Sequence, residues 1–246
     1  MQTFYFTDPG RVRSHNEDSV TIVSNENKEF VLAIADGMGG HKAGEIASSI
    51  AIEHIMNSFY SLETIGSKDD AIEWLRIIVK EINDKIFDYS EKNPESKGLG
   101  TTLVIAIKTE DYILYGNIGD SSGYVIKNGI LHKVTKDHTY VNMLVNSGKL
   151  SEESAKNHPQ KNLLTRALGA NNPVEIDIFD IDTSVKGLFL CSDGLTNMLT
   201  IEQIEKVLKS NFSIEEVVVK LIKKANIRGG DDNISIAYLK KESGEM

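Results

Sequence analysis

The sequence predicts an α+β domain built in layers, and three observations carry that expectation. Nine short runs have the apolar alternation or clustering of strands. Several are joined by connections too short for anything but antiparallel pairing, since a parallel pair needs a long crossover. Helical patterns fall in pairs, in blocks between the strand runs, and such segregation is the signature of helices layered on antiparallel sheet.

The strand runs are SVTIVS (19–24), EFVLAIA (29–35), TTLVIAI (101–107), YILYGNI (112–118), SGYVIK (122–127), ILHKVT (130–135), VEIDIFDI (174–181), GLFLCS (187–192) and NISIAYL (233–239). KNG at 127–129 is a strong hairpin turn, because Asn and Gly accept positive φ cheaply; KTED at 108–111 is a weaker one. Residues 42–58 place Ala43, Ile46, Ala47, Ile50, Ala51 and Ile55 on one helical face. Residues 70–89 do the same through Ala71, Trp74, Leu75, Ile78, Val79, Ile82 and Ile86. Thr200-Ile-Glu-Gln203 and Ser213-Ile-Glu-Glu216 read as capping boxes that open two more helices. Residues 136–165 are polar and irregular and are expected to form a flap. One domain is expected over 1–240, with a frayed tail at 241–246.

Composition narrows the function classes. The chain has 246 residues with 40% hydrophobic and 26% charged, enough for a sizeable single core. Its net charge of -9 and lack of a Lys/Arg cluster argue against a nucleic-acid partner. No apolar run approaches a membrane span, and the N-terminal MQTFYFTDPGR has no basic-then-apolar leader. Cys191 is the only cysteine, so no internal disulfide forms, which fits a reducing compartment. The expectation is a soluble cytoplasmic protein without membrane association.

Aspartates recur at strand ends. Asp36 closes FVLAIAD before Gly37, Asp120 closes YGNIGD, and Asp193 closes GLFLCSD before a glycine. Asp231 and Asp232 open NISIAYL, and Glu17 with Asp18 opens the run at 19–24. A strand end aims a short carboxylate into the cleft at the sheet rim, and an adjacent glycine lets a carbonyl approach the same point. Asp-Gly is also an ordinary turn dipeptide. Its repetition at 36–37 and 193–194, together with GGDD, favours the functional reading. Carboxylates gathered in one place cannot all ionise without compensating positive charge. Hard oxygen donors with such a deficit suit Mg²⁺ or Mn²⁺.

These stretches resemble the metal-dependent serine/threonine protein phosphatases of type 2C in their bacterial form. The resemblance rests on RVRSHNEDS (11–19), ADGMGGHKAGEIAS (35–48), GLGTTL (98–103), GNIGDS (116–121), TKDHT (135–139), LTRALG (164–169), CSDGLTNML (191–199) and GGDDNIS (229–235), in that order. It implies a four-layer α-β-β-α sandwich of two antiparallel sheets flanked by helices, with the site at one edge. It implies hydrolysis of phosphoserine and phosphothreonine in proteins by a metal-activated water, opposing a serine/threonine kinase. By the family pattern Asp36 bridges two metals, the Gly37 carbonyl binds one, and Asp193 and Asp231 complete the pair. Glu17, Asp18 and Asn233 orient waters or ligands, Arg13 holds phosphate, and Asp120 with Asp193 binds a third Mn²⁺ or Mg²⁺. Asp232 reads as a structural neighbour of Asp231.

Two positions depart from the pattern. Gly119-Asp120-Ser121-Ser122 stands where an Arg often ends the motif, and Met38 stands where eukaryotic members carry a histidine. His41 is the nearby candidate for protonating the leaving alkoxide, with helix capping as the competing reading. Rival chemistries are poorly supported. Cys191 lacks the Arg six residues on that a cysteine phosphatase needs; Asn197 is there instead. The Asp-x-Asp of IFDIDTS (178–184) comes too late in the chain for an aspartyl-phosphate enzyme. A metal-binding module without activity would be expected to have lost carboxylates that are all present here. His54 reads as a packed core histidine, and His138 as a residue that orders the flap.

Overall fold

The computed structural model describes residues 1–39, 43–96 and 98–241. Its strands are β1 (Gln2–Asp8), β2 (Asp18–Ser24), β3 (Phe30–Met38), β4 (Gly100–Thr101), β5 (Leu103–Lys108), β6 (Ile113–Ile118), β7 (Ser122–Lys127), β8 (Ile130–Lys133), β9 (Asp177–Ile181), β10 (Gly187–Cys191) and β11 (Ile234–Lys240). Its helices are α1 (Ala43–Tyr60), α2 (Lys68–Lys92), α3 (Tyr140–Asn146), α4 (Glu152–Lys156), α5 (Asp193–Thr196), α6 (Ile201–Leu208) and α7 (Ile214–Ile227). One sheet runs β1-β11-β10-β7-β8, and the other runs β2-β3-β5-β6-β9 with β4 beside β3.

Strand alternation sorts the core into three apolar layers. Along β3, Val31, Ala33 and Ala35 face α1 and α2, where they meet Ile55, Phe59, Leu75, Ile78 and Ile82. Leu32 and Ile34, one residue out of phase, face the other sheet and pack with Val104, Tyr115, Leu188, Leu190 and Ala237. On the far side, Phe189, Cys191, Ile234 and Ile236 meet Leu195, Ile204, Val218 and Leu221 from α5, α6 and α7. The central strands are thus buried on both faces, which is why their runs are nearly unbroken in apolar residues. Three apolar interfaces make four layers, the sandwich that the resemblance implied. Tyr115 is fully buried between the sheets, and its hydroxyl donates to the Tyr124 carbonyl at 2.8 Å. Tyr115→Phe would remove that bond at a cost of about 1 kcal/mol.

The helix starts are fixed by their caps. Ser67, Thr200 and Ser213 each form a capping box, with Asp70, Gln203 and Glu216 returning the bond. Among the described residues no helix is long and apolar enough to cross a membrane.

Five local expectations change. The segment 2–8, read only for a leader, is an edge strand paired with β11. The run at 101–107 breaks at Thr102, whose backbone leaves the ladder. The 136–165 segment carries α3 and α4, with Thr139 bridged to Leu164 at its base. His54 is only half-buried and bonds Glu81 at 2.8 Å. Lys241 is still anchored, its N–H donating to the Lys186 carbonyl at 3.0 Å. The rest of the expected tail, 242–246, lies outside the described residues.

Candidate active site

The order of strands brings separate sequence motifs to one end of the sandwich. Asp18, the first residue of β2, pairs in register with Asp36 of β3. Thr102 explains how Asp36 is held. Its N–H donates to the Asp36 carbonyl at 2.9 Å, and its hydroxyl accepts from the Asp36 N–H at 3.1 Å. The Thr101 hydroxyl adds a second bond to the same carbonyl at 2.9 Å. This explains the break in the strand run: the backbone there serves Asp36 instead of the ladder.

The neighbouring glycine is sterically required. A Cβ on Gly37 would overlap the Gly44 carbonyl and crowd that of Glu17, and the Gly37 N–H donates to the Glu17 carbonyl at 3.0 Å. This contact sets Glu17 beside Asp36. Gly194 plays the same part at the other sheet, where a Cβ would overlap the Asn233 carbonyl. Ser192 links the sheets, donating to Asp18 Oδ2 at 2.8 Å and accepting from the Ser235 N–H at 2.9 Å. Asp193 opens α5, and its carboxylate accepts from Asn197 Nδ2 at 3.0 Å.

Asn233 ties down the loop that carries Arg13 and Glu17. Its Oδ1 accepts from the Glu17 N–H at 2.8 Å, and its Nδ2 donates to the carbonyls of Pro9 and His15, both at 2.9 Å. Next to it, the structure corrects the reading of GGDD. The carboxylate that lines the cavity is Asp232, which accepts from Arg13 at 2.9 Å and from its own neighbour's N–H, Asn233, at 3.0 Å. Asp231 is exposed and folds back over Gly229. Adjacent residues entering a strand point to opposite sides, so only one of the two aspartates can face the cavity.

The resulting cavity has a volume of about 540 Å³. Glu17, Asp36, Asp120, Asp193 and Asp232 line it, with Arg13 and Arg166 as its only cationic side chains among the described residues. Arg13 is spent on Asp232, and Arg166 on Asp177 at 2.6 Å. Burial, and then the charges of Asp18, Asp193, Asp120 and Asp232, hold the Asp36 carboxyl well above its ordinary range. Burial pushes Asp18 up to about 7 against the opposing hydrogen bonds of Ser235 and Ser192. Burial and Asp193 push Asp120 up to about 7 as well. Asp193 and Glu17 are also raised, chiefly by burial.

The donor set fits divalent cations. It is all oxygen, it is short of positive charge, and Asp18 Oδ1 is buried without a hydrogen-bond partner. The carboxylates are spread over the walls: among the described residues no three His, Cys, Asp or Glu side chains close on one ion-sized point. Mg²⁺ suits that arrangement, because it keeps several waters and takes only one or two carboxylates.

Behind Asp120 lies a second chain of contacts. His138 Nδ1 accepts from the Gly119 N–H at 3.1 Å, and the His138 N–H donates to the Gly119 carbonyl at 2.9 Å. Its Nε2 meets Asp177 at 3.1 Å, and Asp177 in turn holds Arg166. Burial lowers the His138 pKa, so the neutral ring accepts at Nδ1 and donates at Nε2. The histidine thus orders the base of the flap, and residues 162–167 complete the cavity wall.

The sequence candidates divide as follows. Arg13, Glu17, Asp36, Gly37, Asp120 and Asp193 line the cavity; Asp18 and Asn233 lie buried just behind it; Asp231 lies outside it. His41 lies outside the described residues. Sequence reasoning missed Thr102, Ser192 and Arg166, although each stands inside a quoted motif; the partners of Thr102 and Ser192 are far away in the chain, and that of Arg166, Asp177, lies outside the quoted motifs. Cys191 is buried in the core, where burial pushes its thiol up to about 12. Asp180 is an exposed partner of Lys68, and Asp182 caps the Ser184 N–H, so neither builds a nucleophilic pocket.

Comparison with known proteins agrees with this geometry. The family model described as protein phosphatase 2C matches residues 10–224. The chain is 39% identical to the serine/threonine phosphatase stp of Listeria monocytogenes over 243 residues, covering 98% of this chain and 96% of that one. It is 33% identical to protein phosphatase PhpP of Streptococcus pneumoniae over 240 residues, 97% of each. Among solved structures, the S. agalactiae serine/threonine phosphatase superposes with a TM-score of 0.93 at 35% identity, covering 98% of this chain and 99% of that one. The Mycobacterium tuberculosis phosphatase PstP/Ppp does so at 0.87 and 33%, with the same coverage. The family model spans most of the chain, relatives 33–39% identical cover nearly all of it, and this chain belongs to the protein phosphatase 2C family.

Proposed function

We propose that this chain hydrolyses phosphoserine and phosphothreonine in proteins, using water activated by two Mg²⁺ or Mn²⁺ ions. The observation that carries the reading is the charge deficit of the cavity: five lining carboxylates against two arginines, both already paired. Such a site repels a phosphate dianion unless cations enter first. When bound, they would supply the positive charge that admits the phosphate and would make a coordinated water acidic enough to attack near neutral pH.

The residues of the chain divide the remaining work. Asp36, Asp193 and Asp232 are the proposed carboxylate ligands, with the Gly37 carbonyl beside Asp36. Asp120 with Asp193 is the proposed site of a third cation. Glu17 orients water at the cavity wall, while Asp18 and Asn233 fix the ligand-bearing backbone from behind. Arg13 is half-exposed and held by one ion pair, so its planar fork is free to leave Asp232 for phosphate oxygens once cations neutralise that carboxylate. His41 is retained as the proposed proton donor to the leaving alkoxide. A serine/threonine kinase of the same cell is the proposed source of the substrates.

The test is hydrolysis of a phosphothreonine peptide and a matched phosphotyrosine peptide, in chelator and with added Mn²⁺. Cleavage of the phosphothreonine peptide alone, and only with Mn²⁺, is expected. Undiminished turnover in chelator would overturn the metal reading.

A further inference from the structure

The catalytic cavity is large enough for a phosphorylated side chain but not for the polypeptide that carries it. A second hollow of about 1060 Å³ opens from it, and the two share Asp120, Asn162 and Asp193 in their walls. This groove runs between the flap and the α5–α6 side of the molecule. Its floor is apolar: Leu131, Val141 and Leu199 line it and are all buried. Its rim carries Lys136, Lys156 and Lys161, all exposed. Among the described residues none of these three lysines forms an ion pair, whereas the nearby Lys133 is spent on Asp137 at 2.7 Å. Away from the catalytic aspartates the other lining carboxylates are Asp137, already paired with Lys133, and Glu152. A chain of net charge -9 therefore presents a cationic rim, without ion pairs among the described residues, on a groove that opens from the site.

We propose that this groove binds the polypeptide flank of the substrate, and that it selects phosphoproteins with Asp or Glu residues close to the phosphorylated serine or threonine. An apolar side chain of the substrate would rest on the Leu131–Val141–Leu199 floor. The lysines would read charge on the substrate without touching the phosphate, so the selection acts on substrate binding and leaves chemistry alone. The inference rests on the phosphatase reading above and adds a substrate class to it.

The experiment uses the full chain with Mn²⁺. Matched phosphothreonine peptides carry acidic, neutral or basic residues on either side of the phosphothreonine, and p-nitrophenyl phosphate serves as the flankless control. The acidic peptides should lead the neutral ones by about five-fold in kcat/KM, mostly through KM, with the margin shrinking at high salt. The triple variant K136E/K156E/K161E should erase or invert that order while p-nitrophenyl phosphate turnover stays within about two-fold. K156E and K161E singly should each shift it part of the way. Equal rates on all peptides, or a preference that survives the triple variant, would overturn the groove while leaving the phosphatase reading standing. No turnover of peptides or of p-nitrophenyl phosphate would remove both.

Discussion

Asp36 is gripped on both sides of its peptide unit by Thr102, while the two flap helices, α3 and α4, bury Val141 and nothing else. The two regions face each other across one cavity. At the strand ends the Asp36 N–H and carbonyl and the Gly37 N–H all have partners, and neighbouring carbonyls lie too close for a Cβ at Gly37 or Gly194. On the flap, short helices are fixed by single caps and a two-residue bridge. Charge repulsion among carboxylates is tolerable only on a rigid frame, because a loose one would relax it by moving apart. A surface that meets varied protein substrates has the opposite need. On the proposed function, this division would place chemistry on the sheets and substrate choice on the flap.

Removing a strand-end carboxylate should have the largest effect. Asp36→Asn and Asp193→Asn should each lower kcat by about 10³ or more, since several kcal/mol of charge stabilisation is lost with the cation. Circular dichroism should show the fold intact, and titration calorimetry should show weaker Mn²⁺ binding. If either variant kept near-normal turnover, the rigid end would not be the chemical one.

Asn233→Ala comes next. It strands the Glu17 N–H and the Pro9 and His15 carbonyls in a buried place, which should cost about 2–4 kcal/mol in denaturant unfolding. The loop carrying Arg13 should loosen, so KM for phosphopeptides should rise as well. A variant of normal stability would mean that the 9–17 loop is held by something other than this side chain.

The third effect is electrostatic and appears only without metal. Asp18 and Asp120 have folded pKa values near 7, raised above the ordinary range by burial. A group whose folded pKa is raised binds its proton more tightly when folded, so its contribution is present at low pH and lost as pH climbs through the folded value. In chelator the melting temperature should therefore fall by about 5 °C or more between pH 5 and pH 8. Mn²⁺ should cancel the fall. Asp18→Asn should reduce it and leave the share of Asp120, because the amide carries no charge yet can still accept from Ser192.

The same contrast governs how much could be read from the chain itself. The strand runs, the capping boxes and most strand-end aspartates were legible, because period and cap chemistry are local properties of sequence. β1 was not: it is an edge strand with mostly exposed residues, and its pairing with β11 is a long-range fact. Thr102 and Ser192 looked like strand filler because their partners, Asp36 and Asp18, are 66 and 174 residues away. The flap helices were hidden by their brevity and exposure, which leave little apolar period to read.

On the flap the expected effects are smaller and substrate-dependent. Thr139→Ala removes the hydroxyl that accepts from the Asn142 N–H at 3.3 Å at the start of α3. A cap of that length should be worth about 0.5–1 kcal/mol locally, with little change in global unfolding. Phosphopeptide KM should rise by about two- to five-fold, while aryl phosphate kinetics stay unchanged. Equal changes on both substrates would mean that the flap props up the catalytic end.

The smallest effect is expected at Asp231, one residue from one of the largest. Asp232 lines the cavity, pairs with Arg13 and raises the pKa of Asp193 by its charge. Asp231 has none of these contacts; it is exposed, on the outer side of the Gly229-Gly230 turn. Gly229 at φ 146 and Gly230 at φ 59 turn the chain so that the second aspartate, not the first, enters the cavity beside Asn233. Asp232→Asn should accordingly cost about 10³ in kcat and weaken Mn²⁺ binding, whereas Asp231→Asn should leave both within about two-fold, as surface substitutions usually do. Arg13 supplies a control, since Asp232→Asn also frees its guanidinium and should change phosphate inhibition of the metal-free protein, while Asp231→Asn should not. A large loss at Asp231 with a small one at Asp232 would reverse the register of the turn, and with it the assignment of which carboxylate belongs to the rigid end.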